Sequence, residues 1–296
     1  MKHTEVVGLV APDIAIRSLS ENGNVRALTC VTTQVVNELQ RRHNTWPVAT
    51  AALGRTASIA LMMGLLLKGP ERLTVQVKGD GPLGSIFVDA DAAGHVRGYV
   101  DNPHIHLPAN GLGKLDVGGG VGQGMLYVMR DMGLRDVYRG SVELQSGEIA
   151  DDFTYYFTVS EQTPSAVGAG VLVDTDNHVM VSGGFIVQLL PGHTDQDIAE
   201  LEQNVGQIRS VTDFLRNGAT AEDLLNVILP NARVLDRQPV SFQCTCSRER
   251  FKASLKGLGE AEIRSLMEEH GDAEVVCHFC GEKYNFTVEE LNELLI

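Results

Sequence analysis

Four of the five cysteines of this 296-residue chain lie in two close pairs within its last quarter. Cys244 and Cys246 form a C-x-C pair, and Cys277 and Cys280 form a C-x-x-C pair after thirty intervening residues. Each pair can place two sulfurs on one turn, and the insert can fold back to bring the pairs together. Gly281 can adopt the positive φ that lets backbone amides approach the sulfurs. The sequence therefore predicts one Zn²⁺ held by four thiolates.

These thiols can also react. A structural zinc site normally has two C-x-x-C arms, so the tighter C-x-C pair is unusual. Arg248, Arg250 and Lys252 follow this pair, and nearby cations favour the thiolate, which is both the reactive and the metal-binding form. A sulfenic acid formed on one thiolate could close a disulfide with its neighbour and release the metal. A purely structural zinc clip and a redox-active site both remain open at this point.

Other patterns that could carry chemistry are weaker. Cys30 lies in an apolar stretch, which favours a buried structural thiol. His104 and His106 would share one face of a strand, but no third ligand is in view. The glycine-rich run 118–124 fits no phosphate-loop register and predicts a flexible connection between strands. We therefore expect neither a second metal site nor a nucleotide site, and no acid/base constellation indicates an enzyme.

Charge and hydropathy exclude several classes of partner. The net charge of -14 argues against nucleic acid, because phosphate binding needs a basic surface. The most apolar run, 57–67, is too short to span a membrane and predicts a buried helix. Residues 1–5 do not begin a secretory signal, and clustered cysteines suit metal or redox chemistry in a reducing compartment. We expect a cytoplasmic protein without nucleic-acid or membrane partners.

Helical and strand patterns occur in separate runs, which favours an α+β fold over an alternating βαβ fold. The predicted helices are 32–44, 47–68 and 151–160, and the predicted strand regions are 73–77, 85–88, 95–100, 124–143, 170–173, 178–181 and 184–190. These segments predict a core with a mixed β-sheet and helices at residues 1–192.

The strand signal vanishes after Gly192. Thr194 and Asp197 predict the start of a helix with one apolar stripe, formed by Ile198, Leu201, Val205, Ile208 and Leu215. A second helix should begin at Thr220, and we interpret 193–238 as a helical linker. Residues 239–296 should form a small zinc-binding module with a helix at 260–269 and a terminal helix opened by a Thr287-x-x-Glu290 capping box.

Several stretches resemble the heat-shock protein 33 family, the redox-regulated 33 kDa chaperonins. The most specific are the cysteine motifs with their flanks, 242–250 and 277–281. The stretches 73–83, 156–164 and 183–191 also resemble core signatures of that family. The resemblance covers nearly the whole length, and the four cysteines show no departure from the family pattern.

The resemblance implies an ATP-independent holdase rather than an enzyme. Reduced and zinc-bound, such a protein is inactive. Oxidative stress would pair Cys244 with Cys246 and Cys277 with Cys280, release zinc, destabilise the linker and expose a surface that binds unfolding client proteins. Active members of the family are homodimers, so a homodimer is expected here. The missing nucleotide loop agrees with a chaperone that does not use ATP.

Two other classes share part of the cysteine pattern. A zinc-ribbon nucleic-acid binder would be expected to show a basic stripe with interleaved aromatic residues, which this acidic chain lacks. A thiol oxidoreductase would use Cys277 and Cys280 catalytically and would turn over a disulfide substrate. The family resemblance favours neither class.

Overall fold

A computed structural model describes residues 12–133 and 137–295. The chain divides into two compact units, the first ending at Phe242 and the second beginning at Gln243. Residues 1–5, where no secretory signal is expected, lie outside the described residues, as do residues 134–136 of the predicted strand region 124–143.

The first unit combines strands and helices in runs. Its first half contains β1 (Ile14–Leu19), β2 (Val25–Val31), α1 (Thr33–His43), α2 (Pro47–Gly64), β3 (Arg72–Gly79), β4 (Ser85–Asp91), β5 (His95–Val100), α3 (Val117–Val121), β6 (Gly124–Asp131) and β7 (Tyr138–Glu143). Its second half contains α4 (Ala150–Val159), β8 (Ser165–Val173), β9 (Val179–Leu189), α5 (Asp195–Val205), α6 (Val211–Arg216), α7 (Ala221–Ile228), β10 (Arg233–Pro239) and β11 (Ser241–Phe242).

The strands form two sheets within the described part of this unit. One is antiparallel throughout, with the order β10-β1-β2-β9-β8. The other has the order β11-β5-β4-β3-β6-β7 and is mixed, because β11 runs parallel to β5. The predicted α+β class with a mixed sheet is confirmed.

Helix α2 forms the centre of the main core. Val48 to Leu53 and most of the following residues are buried on every side of the helix, and α2 packs against strands of both sheets. Its many small residues allow this close packing: a Cβ on Gly54 would lie 2.6 Å from a methyl of Val36. The apolar run 57–67 is therefore a buried helix and its end, as predicted, although the helix stops at Gly64 rather than at residue 68.

Helices α5, α6 and α7 cover the opposite face of the five-stranded sheet. A second apolar cluster there contains Ile16 and Val187 from the strands and Leu201, Leu215 and Leu225 from the helices. The prediction of one continuous stripe from Ile198 to Leu215 is wrong, because α5 ends at Val205 and α6 begins anew. The Ser210 hydroxyl accepts a hydrogen bond from the Asp213 amide and caps the new helix, which makes a separate helix favourable.

The predicted helical linker ends in a strand. Arg233–Pro239 forms β10, which pairs antiparallel with β1 at the edge of the five-stranded sheet. This edge strand is exposed at most positions, so its sequence lacks the alternation that identifies a half-buried strand. Residues 193–238 all lie in the first unit. Their treatment as a separate segment stays a prediction.

The second unit is small. It contains α8 (Arg248–Lys256), α9 (Glu260–His270), β12 (Ala273–Val276), β13 (Lys283–Phe286) and α10 (Val288–Glu293). Its core has a few buried apolar side chains: Leu255, Ile263, Phe286, Leu291 and Leu294. The predicted helix at 260–269 corresponds to α9, and the Thr287–Glu290 capping box is confirmed at the start of α10. Helix α8 was not predicted.

Two local predictions were wrong, one of a connection between strands and one of a strand. The short helix α3, Val117–Val121, overlaps the glycine-rich run, and the Asp116 carboxylate caps its start by accepting a hydrogen bond from the Gly119 amide. His104 and His106 lie in an irregular segment and are exposed, so they do not share the face of a strand. Cys30 is fully buried in the main core, as expected.

Candidate metal centre

The C-x-x-C arm is the loop between β12 and β13. The two strands pair from Ala273 with Phe286 to Val276 with Lys283, so residues 277–282 must turn tightly. The Gly281 amide donates a hydrogen bond to the Cys277 carbonyl at 2.8 Å, and the Cys277 amide donates to the Glu282 carbonyl at 2.9 Å. Gly281 has a φ of 73°, a left-handed conformation that glycine adopts without steric cost. This turn presents the sulfurs of Cys277 and Cys280 on the same side of the loop.

The C-x-C arm precedes α8 and is held by the start of that helix. The Ser247 hydroxyl accepts a hydrogen bond from the Arg250 amide and caps α8. The Arg250 guanidinium donates from Nη1 to the carbonyl and the hydroxyl of Thr245, at 2.9 and 3.1 Å. Thr245 lies between the two cysteines, so these contacts fix the conformation of the arm.

The two arms bring all four sulfurs within 4.8 Å of one another. The distance between Sγ atoms is 3.7 Å for Cys244 and Cys277 and 3.4 Å for Cys246 and Cys280. Four sulfurs each about 2.3 Å from a tetrahedral zinc ion would lie about 3.8 Å apart, so the arrangement fits that ion. Among the residues that the structure describes, no other group of three or more His, Cys, Asp or Glu side chains meets in this way.

The electrostatics of the site also suit a cation. Cys277 and Cys280 are buried, whereas Cys244 and Cys246 are half-buried. Burial raises the pKa of the Cys277 and Cys280 thiols, and the neighbouring sulfurs raise the pKa of Cys280 further. Four thiolates are therefore costly to gather here unless a cation compensates their charge. Such a site is suited to hold a divalent ion that prefers sulfur ligands.

The cations that follow the C-x-C pair have other partners. Arg248 donates from Nη2 to both carboxylate oxygens of Glu290 at 2.7 Å and to the Asn285 carbonyl at 2.7 Å. The same guanidinium lies 4.4 Å from the ring centroid of Phe286. Lys252 pairs with the carboxylate of Glu293. These contacts join the start of α8 to β13 and α10, so the cations organise the module around the sulfurs.

Sequence reasoning missed Tyr284. Its hydroxyl oxygen lies 3.3 Å from the Sγ of Cys246, and this contact raises the pKa of the tyrosine because the hydroxyl proton is shared with sulfur. The available signal was period-two alternation in β13, where Tyr284 and the buried Phe286 share a face. That alternation predicts an inward-facing tyrosine, but it does not indicate which sulfur the tyrosine meets.

A family model described as Hsp33 protein matches residues 13–287 of this chain. The chain belongs to the Hsp33 family. A 33 kDa chaperonin from Bacillus velezensis is 51% identical over 284 residues, which cover 95% of this chain and 98% of the relative. A 33 kDa chaperonin from Staphylococcus aureus is 49% identical over 286 residues, covering 96% of this chain and 98% of the relative.

A solved structure agrees with these sequence matches. The crystal structure of a 33 kDa chaperonin, a heat shock protein 33 homolog from Thermotoga maritima, superposes with a TM-score of 0.90 at 36% identity. The match covers 96% of this chain and 97% of the other. Members of the Hsp33 family are chaperones and not enzymes, and this chain is a chaperone of that type.

Within residues 12–133 and 137–295, no helix is both long enough and apolar enough to cross a membrane.

Proposed function

We propose that this protein is a redox-regulated, ATP-independent holdase that is inactive when reduced and zinc-bound. The observation that carries the proposal is the meeting of four cysteine sulfurs within 4.8 Å in a chain of the Hsp33 family. Cys244, Cys246, Cys277 and Cys280 would hold one Zn²⁺. The ion would supply a charge that stabilises four adjacent thiolates and cross-links the two arms.

The size of the second unit makes its folding sensitive to the state of these thiols. Among residues 243–295, its core has five buried apolar side chains besides the cysteines, and so small a module rarely folds on hydrophobic burial alone. Metal-binding free energy in such modules is folding free energy. We therefore infer that loss of the tetrathiolate arrangement unfolds residues 243–296.

The oxidation step would consume one molecule of hydrogen peroxide for each disulfide. A thiolate attacks the peroxide oxygen, so its sulfur becomes sulfenic acid and hydroxide or water leaves. The neighbouring thiolate then attacks the sulfenic sulfur, which forms the S–S bond and releases the second oxygen as water. We infer that Cys244 pairs with Cys246 and Cys277 with Cys280. Because short sulfur contacts also join the two arms, peptide mapping of the oxidised protein is needed to test this pairing.

Clients would bind apolar surface that the reduced fold covers. Helices α5 to α7 bury Leu201, Leu215, Leu224, Leu225 and Ile228 against the five-stranded sheet. If residues 193–238 loosen when the second unit unfolds, these side chains become available to nonpolar segments of unfolding proteins. We further infer that the active form is a homodimer and that the protein works in the cytoplasm, where a reducing environment maintains the thiols.

The deciding experiment follows zinc and chaperone activity together. The protein is treated with hydrogen peroxide at raised temperature while a chromogenic chelator reports zinc release and light scattering reports aggregation of a heat-labile client. Zinc release should coincide with suppressed aggregation, and thiol reductant with added zinc should reverse both. Sedimentation velocity on the same samples tests the homodimer.

Two variants control this experiment. Cys280→Ser removes one sulfur, so we expect weaker zinc binding and altered activation. Cys30→Ala removes the buried thiol outside the site and should leave zinc release and activation as in the parent. Zinc release without any gain in holdase activity would show that the cysteines have only a structural role. Turnover of a disulfide substrate that depends on Cys277 and Cys280 would instead favour an oxidoreductase.

A further inference from the structure

We propose that Tyr284 is a positioning residue of the metal site. Its hydroxyl donates a hydrogen bond to the Cys246 sulfur and thereby strengthens zinc binding by the C-x-C arm. The inference rests on the zinc-binding part of the proposed function and extends it to a side chain that is not a ligand. It does not depend on chaperone activity.

The hydroxyl of Tyr284 is held in place from two directions. Tyr284 pairs with Val275 across the β12–β13 hairpin, so its backbone is fixed by the same strands that shape the C-x-x-C arm. Its ring packs against Phe251 of α8, with centroids 5.0 Å apart and planes inclined at 44°. The hydroxyl oxygen thereby reaches to 3.3 Å from Cys246 Sγ, within the distance expected of a hydrogen bond to sulfur.

The direction of this hydrogen bond follows from the chemistry of the two groups. A thiolate has no proton and can only accept, whereas a phenol hydroxyl carries a proton at neutral pH and can donate it. A hydrogen bond to a charged acceptor is stronger than one between neutral groups. When Cys246 is a thiolate, the hydroxyl therefore stabilises the form that binds metal.

Tyr284 also links the two arms. It belongs to the hairpin that carries Cys277 and Cys280, yet its hydroxyl contacts Cys246 on the other arm. Groups that hydrogen-bond to metal ligands orient those ligands, and their loss typically weakens metal binding about 10-fold to 100-fold. The Cys246 sulfur is only half-buried and belongs to the less usual C-x-C arm. We therefore expect the orientation of this sulfur to affect zinc affinity.

The test uses the full-length, reduced protein under oxygen-free conditions, with zinc alone as the probe. Competition against a chromogenic chelator should show that Tyr284→Phe binds zinc about 10-fold more weakly than the parent. The substitution keeps the ring that packs on Phe251 and removes only the hydroxyl. Tyr155→Phe is the matched control, since Tyr155 is an exposed tyrosine in the first unit, and it should bind zinc like the parent.

A second measurement separates positioning from packing. Cobalt(II) can be bound in place of zinc, and its sulfur-to-metal charge-transfer band depends on the thiolates that bind the ion. Loss of a hydrogen bond to one thiolate should shift this band in Tyr284→Phe and leave it unchanged in Tyr155→Phe. Equal zinc affinity and an unchanged cobalt spectrum in Tyr284→Phe would overturn the inference while leaving the proposed switch intact. If the parent protein bound neither metal, the proposed function itself would fail.

Discussion

The guanidinium of Arg42 lies 4.5 Å from the centre of the Phe242 ring. Arg42 lies at the end of α1, and Phe242 is the last residue of β11, two positions before Cys244. The Ser241 amide donates to the Gly94 carbonyl at 3.0 Å, and β11 pairs with the start of β5. The chain is thus anchored to the first unit immediately before Cys244, the first cysteine of the candidate metal centre.

We expect the contact between Arg42 and Phe242 to contribute measurably to the stability of the first unit. A double-mutant cycle with Arg42→Gln and Phe242→Ala should give a coupling free energy of about 0.5–1 kcal/mol, the usual strength of such a pair near a surface. Arg42→Gln also breaks the ion pair with Glu38, but this loss occurs with or without Phe242→Ala and therefore cancels from the coupling free energy. Urea unfolding followed by fluorescence of Trp46, the single tryptophan, measures it.

The neighbouring residue provides the control for this cycle. Arg41 also pairs with Glu38 but is more exposed, so Arg41→Gln combined with Phe242→Ala should be additive. A coupling free energy near zero for Arg42 and Phe242 would show that the ring contact does not stabilise the end of the first unit.

The buried carboxylate of Asp13 should make the first unit less stable as the pH rises. Burial raises the pKa of Asp13 to about 6 from 3.8, although the amides of Val35 and Gln34 donate to its oxygens and oppose the shift. The folded state therefore binds this proton more tightly than the unfolded state. Stability from this group is complete below about pH 4 and falls between pH 4 and 6, by about 3 kcal/mol in total.

Urea unfolding at intervals from pH 4 to pH 7, followed by Trp46 fluorescence, tests this dependence. Asp13→Asn cannot titrate, so its unfolding free energy should change less over this interval than that of the parent. Parallel pH profiles for the two proteins would contradict the assignment of a raised pKa to Asp13.

Asp197 should have the opposite dependence on pH. Its carboxylate accepts hydrogen bonds from the amide and hydroxyl of Thr194 and from the side chains of Asn22 and Asn24, and these lower its pKa to about 2 from 3.8. The ionised group therefore stabilises the fold above about pH 4, and this contribution is lost as the pH falls through 2. The hydrogen bonds from Asn22 and Asn24 to Asp197 join α5 to the turn between β1 and β2.

Asp197→Asn should lower the urea midpoint at pH 7, and the difference from the parent should shrink as the pH falls from 4 towards 2. A carboxyl titration by NMR gives the pKa directly. Asp195→Asn, in the same first turn of α5, is the exposed control and should leave the midpoint nearly unchanged. An Asp197 carboxyl that titrates near 4 would contradict the prediction.

The contacts of Arg248 should stabilise α10 within the second unit. Arg248→Lys keeps the positive charge but loses the two-oxygen contact with Glu290 and the flat contact with the Phe286 ring. We expect faster amide hydrogen exchange in α10, beginning at Glu290, whose amide donates to the Thr287 hydroxyl. Arg264→Lys is the control, because Arg264 pairs with Glu260 on the surface of α9. Equal exchange in the two variants would contradict this role.

Local patterns were read correctly from the sequence because the interactions behind them span only a few residues. The helix starts at Thr194 and Thr220 and the capping box at Thr287 follow from side chains three positions apart, and the structure has a capping box at each of the three. The burial of α2 followed from its apolar composition. Two local features were nevertheless missed, the Ser210 cap that begins α6 and the Asp116 cap that begins α3. Strand β10 was missed for a different reason, because it is defined by pairing with β1 more than two hundred positions away.

The sequence by itself determined the set of sulfur residues and the two spacings that allow them to share one ion. It could not determine which side chains outside the motif reach those sulfurs, because that depends on how β13 and α8 pack. Tertiary structure alone brought the Tyr284 hydroxyl to Cys246 and directed Arg248 to Glu290. The physical reason is that cysteine spacing is set by local backbone geometry, whereas hydrogen bonds between distant elements exist only after the chain has folded.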